Sequence, residues 1–96
     1  MDISHTCYKK VTDMVTREIS GETIIVPVKA DVGDLNSVYT LNDVASLVWN
    51  LIDGQTAVGR IVDRVCDTYE VAPNEALRDI TDLAVSMEAA GLIVPV

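Results

Sequence analysis

From Met14 to Leu41 the apolar residues favour every second position, and from Val44 onward they recur every three to four. Met14–Ile19 alternates, with Val15, Arg17 and Ile19 on one face and Met14, Thr16 and Glu18 on the other. Ser20-Gly21 is turn chemistry and Thr23–Val28 is rich in β-branched residues, so the two segments predict a β-hairpin. Pro27 cannot donate to a ladder, which marks the end of the second strand as an edge or a bulge. Asp31, Gly33, Asp34 and Asn36 predict a loop over Ala30–Asn36, and Ser37–Leu41 predicts a short third strand that runs without a gap into a helix.

Asn42 is a natural N-cap for that helix, because its side-chain oxygen can accept from an orphan N–H of the first turn. Val44, Ala45, Val48, Leu51 and Ile52 follow at helical spacing with Leu47 and Trp49 on the flanks, and Gly54 is placed to end the helix in a left-handed conformation. A second helix is expected from Thr56, where Val58, Ile61, Val62, Val65, Cys66 and Tyr69 form one stripe. Pro73 suits the first position of a third helix, running to about Ala90 and closed by Gly91. Its expected core face is Ala76, Ile80, Leu83 and Met87; Leu77, Thr81, Ala84 and Val85 widen the apolar surface on one side beyond what one packed stripe needs. Leu92–Val94 is read as a short final strand. The outline is an α+β domain, winged helix-turn-helix-like, with an N-terminal small antiparallel sheet of three short strands, then three helices and a short C-terminal strand. Residues 1–13 are mixed and polar and are expected as a flexible N-terminal arm, contributing at most a strand near Tyr8–Val11, with residues 14–96 forming a single domain.

Composition narrows the function classes. With 7 basic and 15 acidic residues the net charge is −8, which repels phosphate backbones and anionic membranes. The third helix sits where a winged-helix protein would carry its recognition helix, yet it sets Glu75, Asp79, Asp82 and Glu88 against Arg78 alone. No apolar run approaches the ~18 residues of a membrane span, and no basic segment precedes an apolar one as in a signal peptide, so a cytosolic location is expected. Cys7 and Cys66 match no metal or redox spacing. His5, the single histidine, lies in the expected arm; Ser37, Ser46 and Ser86 lack a nucleophile-elbow context; and the acidic residues of the second and third helices lie along solvated faces without a converging ligand set. No catalytic residue, metal site or cofactor is expected, and the chain is not read as an enzyme.

One set of residues does carry a signal. Leu41-Asn42-Asp43-Val44-Ala45-Ser46-Leu47-Val48-Trp49, then Asp53-Gly54-Gln55-Thr56, Ile61-Val62, Tyr69, Leu83 and Gly91-Leu92-Ile93 resemble the PqqD family, whose members include coenzyme PQQ synthesis protein D. The resemblance covers about residues 14–94. It implies a recognition element that binds the leader segment of a ribosomally synthesised precursor peptide and hands it to a modifying enzyme, commonly a radical SAM protein. In that family the leader adds as a strand beside the third strand and lies against the third helix. Carried onto this chain, the peptide-binding residues are Ser37, Val38, Tyr39, Thr40 and Leu41 for the strand, and Leu77, Thr81, Ala84 and Val85 for the helix flank.

Two departures point away from the PQQ pathway in particular. The loop Lys29–Asn36 is longer and more acidic than expected of a PQQ-pathway member, and Val26-Pro27-Val28-Lys29 stands where a Tyr-Pro-Glu-like ending is expected. A related member serving another peptide pathway, for example lasso-peptide maturation or radical SAM-modified peptide maturation, fits at least as well. The rival readings are a protein–protein adaptor that docks a biosynthetic enzyme without touching a peptide and, against the charge, a winged-helix nucleic-acid-binding regulator. A monomer or weak homodimer is expected, since a small domain with an open strand edge can pair with itself.

Overall fold

The structure is a computed structural model and describes residues 2–11, 14–27 and 38–96. The elements follow as β1 (Tyr8–Lys10), β2 (Met14–Ile19), β3 (Glu22–Pro27), β4 (Tyr39–Leu41), α1 (Asp43–Leu51), α2 (Val58–Thr68), α3 (Pro73–Ala89) and β5 (Ile93–Pro95). The expected loop Ala30–Asn36 and Ser37 at the head of the third predicted strand lie outside the described residues.

Ser20 and Gly21 have φ of 53° and 82°, the two positive angles of a hairpin turn whose twist matches its strands. β2 and β3 therefore pair antiparallel, Val15 opposite Val26 and Arg17 opposite Ile24, and β4 joins the other side of β3 with Thr23 opposite Leu41 and Ile25 opposite Tyr39. The sheet order is β2–β3–β4. Ile25, fully buried, and Leu41 point inward onto α1, where Val48 and Trp49 complete the contact.

Asn42 caps α1 as the sequence indicates: its Oδ1 accepts from the Ala45 N–H at 2.9 Å. The Ser46 hydroxyl donates back to the Leu41 carbonyl at 3.2 Å, which ties the last residue of β4 to the first turn of the helix. Gly54 does not end α1. The helix stops at Leu51, and Gly54, with φ 82°, sits further on in a turn where its N–H donates to the Tyr8 carbonyl at 2.8 Å. Asp53 organises that turn, its carboxylate accepting from the Gln55 and Thr56 amides at 2.9 and 2.8 Å and from the Thr56 hydroxyl at 3.1 Å. These hydrogen bonds, led by that from Gln55, hold its pKa below the ordinary 3.8.

The second helix begins at Val58 rather than Thr56 because backbone from the chain's start closes it. The Val58 and Gly59 amides donate to the Thr6 and Ser4 carbonyls at 2.9 and 2.8 Å, satisfying donors that a helix N-terminus leaves open. A Cβ at Gly59 would lie 3.1 Å from the Ser4 carbonyl oxygen, so the close approach favours glycine. Residues 2–10, expected as a loose arm, are held in place by these bonds, by buried Ile3 and Tyr8, and by β1, which pairs antiparallel with β5. Lys10 on β1 lies with its ammonium 4.9 Å from the centre of the Trp49 ring, and burial lowers its pKa below 10.5.

The stripe of α2 is buried at Val58, Ile61, Val62 and Val65. On α3 the buried row is Ala76, Ile80, Ala84 and Met87, with Leu83 only partly buried. Gly91, φ 78°, closes α3, with the Leu92 amide donating to the Met87 carbonyl at 2.9 Å. Asn42→Ala is expected to cost about 1 kcal/mol in urea denaturation, because it leaves an α1 amide without its acceptor while the buried surface stays the same.

Candidate functional site

β4 lies at one edge of its sheet and β2 at the other. An edge strand presents unpaired N–H and C=O groups, and charged side chains are a common guard against unwanted pairing. β2 carries adjacent Arg17 and Glu18; β4, Tyr39-Thr40-Leu41, carries no charge. The unguarded edge is therefore that of β4. Of the residues named for the strand, Ser37 lies outside the described residues, Val38 and Thr40 are exposed, Tyr39 is half-buried and Leu41 is buried. Leu41 can offer an incoming chain its backbone but not its side chain.

The helix residues divide. Leu77 and Thr81 are half-buried and Val85 is 42 % exposed; the three are spaced four residues apart and form one row along α3. Ala84 is 2 % exposed and belongs to the buried row beside them. Its small side chain is spent on the core, while Leu83, expected there, lies toward the helix's other flank. β4 and α3 both pack against α1, which is their shared neighbour.

That other flank borders a feature the sequence reading missed. A cavity of about 130 Å³ opens among Val44 at the start of α1, Val65 and Tyr69 near the end of α2, and Ala76, Asp79 and Ile80 on α3. It is apolar with one carboxylate at its wall, a shape suited to one apolar side chain bearing a donor. Its only trace in the sequence is that Val44 and Tyr69 stand at the ends of their helical stripes. A larger, open depression of about 570 Å³ along α2 is lined by Arg60, Asp63, Arg64 and Asp67, a mixed-charge solvated surface. Among the described residues no three His, Cys, Asp or Glu side chains are grouped to hold a metal ion, and Cys7 and Cys66 are separate free thiols. His5 is exposed.

The different burial of neighbouring Ala84 and Val85 has a measurable consequence. Val85→Asp is expected to change stability by no more than about 0.5 kcal/mol. Ala84→Asp, which places an unpaired charge in the core, is expected to cost upwards of about 3 kcal/mol. Thermal melts of the two variants decide it, and equal losses would contradict the burial described.

Comparison with known proteins agrees with the architecture. A solved structure of TbiB1 in complex with the TbiA(beta) leader peptide superposes with a TM-score of 0.75 at 22 % sequence identity, covering 88 % of this chain and 93 % of that one. At that identity the likeness shows a shared fold. No curated protein matches this sequence significantly. The family described as coenzyme PQQ synthesis protein D (PqqD) matches residues 22–93, which takes in the β3–β4 pairing, all three helices and the start of β5. The chain belongs to the PqqD family.

Proposed function

We propose that this protein is a non-catalytic recognition domain that binds the leader segment of a ribosomally synthesised precursor peptide and presents it to a modifying enzyme. The observation that carries this reading is the uncharged edge of β4, on a fold shared with a protein solved in complex with a leader peptide. An extended peptide added at that edge draws its register from main-chain hydrogen bonds and its selectivity from side chains that alternate between the two faces. Ser37 to Leu41 supply the backbone. Leu77, Thr81 and Val85 supply apolar surface on α3, and Ala84 acts through the close packing of that helix. The partner enzyme is of the radical SAM type or a related peptide-modifying class, in PQQ or another peptide-product pathway.

The nucleic-acid reading fares worse on the structure, since Glu75, Asp79, Asp82 and Glu88 are all exposed on α3. A duplex brought to that helix would meet like charge.

Fluorescence anisotropy with synthetic leader peptides from precursor genes beside this one tests the proposal. Strand addition predicts saturable binding by the cognate leader, and loss of at least tenfold in affinity when backbone amides are N-methylated at alternate positions through the bound segment. A leader that binds equally well with every amide methylated would show recognition by side chains alone and remove strand addition. No binding by any of these leaders would count against the peptide reading itself and favour the adaptor.

A further inference from the structure

The described residues include six exposed large apolar side chains, and four of them share one surface: Val15, Ile19, Val26 and Val38, at 46, 55, 40 and 50 % exposure. The strand register places them there. Thr23 and Ile25 are buried and Thr16 and Glu18 stand opposite them, so Val15, Arg17 and Ile19 of β2 share the other, outer face with Glu22, Ile24 and Val26 of β3. Val38 and Thr40 continue the same face at β4, because Tyr39 and Leu41 point inward. The more apolar side of β2 thus lies on the outer face, while exposed Thr16 and Glu18 lie on the side of the sheet that β3 turns to the core. That reverses the usual arrangement of an antiparallel sheet with one covered face. Strand propensity explains single exposed β-branched residues. It does not explain a contiguous patch in which Val15 stands directly opposite Val26, and patches of that kind mark interaction surfaces.

We infer that the outer face of the β2–β3–β4 sheet is the docking surface for the peptide-modifying enzyme, whose complementary surface is apolar with a carboxylate set to meet Arg17. Arg17 lies between Val15 and Ile19 along β2 and opposite Ile24, a cation flanked by apolar side chains, with exposed Glu22 on the same face opposite Ile19. A second copy of this chain fits poorly there. Pairing two copies through this face would bring two chains of net charge −8 together. The peptide site supplies a further reason for an enzyme. A strand added at β4 directs alternate side chains onto this same outer face, beside Val38 and Thr40, so a protein seated on the face meets the sheet and the leader as one surface. This inference rests on the proposed function for the identity of the partner, and on the register and exposure of the sheet for the location.

The test uses the full chain, the purified peptide-modifying enzyme encoded beside it, and two variants, Val15→Thr with Ile19→Thr and, separately, Arg17→Glu. Threonine keeps strand propensity while removing apolar surface. Each variant is expected to weaken enzyme binding at least tenfold by calorimetry, with leader affinity and melting temperature as in the unaltered chain. The leader is expected to tighten enzyme binding to the unaltered chain. Enzyme affinity unchanged in both variants, or no enzyme binding by the unaltered chain, overturns the inference. So does a concentration-dependent dimer in sedimentation, or binding to zwitterionic vesicles, that the threonine variant abolishes while enzyme binding persists. Enzyme binding that depends on this face in a chain that binds no leader sustains the docking surface and removes the leader reading instead.

Discussion

A single residue separates the third strand of the main sheet from the first helix, and much of the molecule follows from that short joint. Asn42 caps α1 with its side chain, and Ser46 donates back to the Leu41 carbonyl, so β4 cannot shift without unwinding the first turn of the helix. The chain that leaves β4 turns at once into α1, under the sheet, and so is not available to run along the strand's outer edge. β4 is a three-residue strand fixed in this way, and among the described strands only β3 pairs with it, so the backbone groups on its other side are held in one geometry.

The rest of the fold keeps that strand in place. Ile25 and Leu41 carry the inner face of the sheet onto Val48 and Trp49, and α2 and α3 close the far side through Ile61, Val65, Ile80 and Met87. The N-terminal segment then completes the body from outside: Ser4 and Thr6 receive the first amides of α2, and β1 takes up β5. These contacts consume nearly all the strongly apolar helix surface. Among the described residues, the large apolar side chains that remain exposed are four on the outer face of the sheet, Val85 on α3 and Val96, and α3 keeps Glu75, Asp79, Asp82 and Glu88 exposed.

Much of this was legible in the sequence, for identifiable reasons. The Asn42 cap, the Ser20-Gly21 turn, the α2 stripe and the Gly91 closure each depend on side-chain chemistry or on a strict period. What escaped depended on backbone or on tertiary choice. The carbonyls of Ser4 and Thr6 have no side-chain signature, so the N-terminal segment read as a loose arm. The period of α3 allows either Leu83 or Ala84 on the core row, and the closeness of packing selected the smaller residue. Alternation divides β2 into two faces but does not say which one meets the core; Ile25 and Thr23 on the neighbouring strand decide that, and they turn Val15 and Ile19 outward. The cavity beside Asp79 arises from the ends of three helices, a relation that no local pattern contains. The open edge of β4 was expected from family resemblance, and the sheet order supports it.

Hydrogen exchange at single-residue resolution, on the chain alone and with its cognate leader, tests the central claim most directly. If the leader adds as a strand at β4, the amides among Val38 to Leu41 that do not already pair with β3 exchange at least tenfold more slowly in its presence, in alternation along the strand, while those of β2 are unchanged. Protection confined to β2, or to α3 with none at β4, would contradict the account.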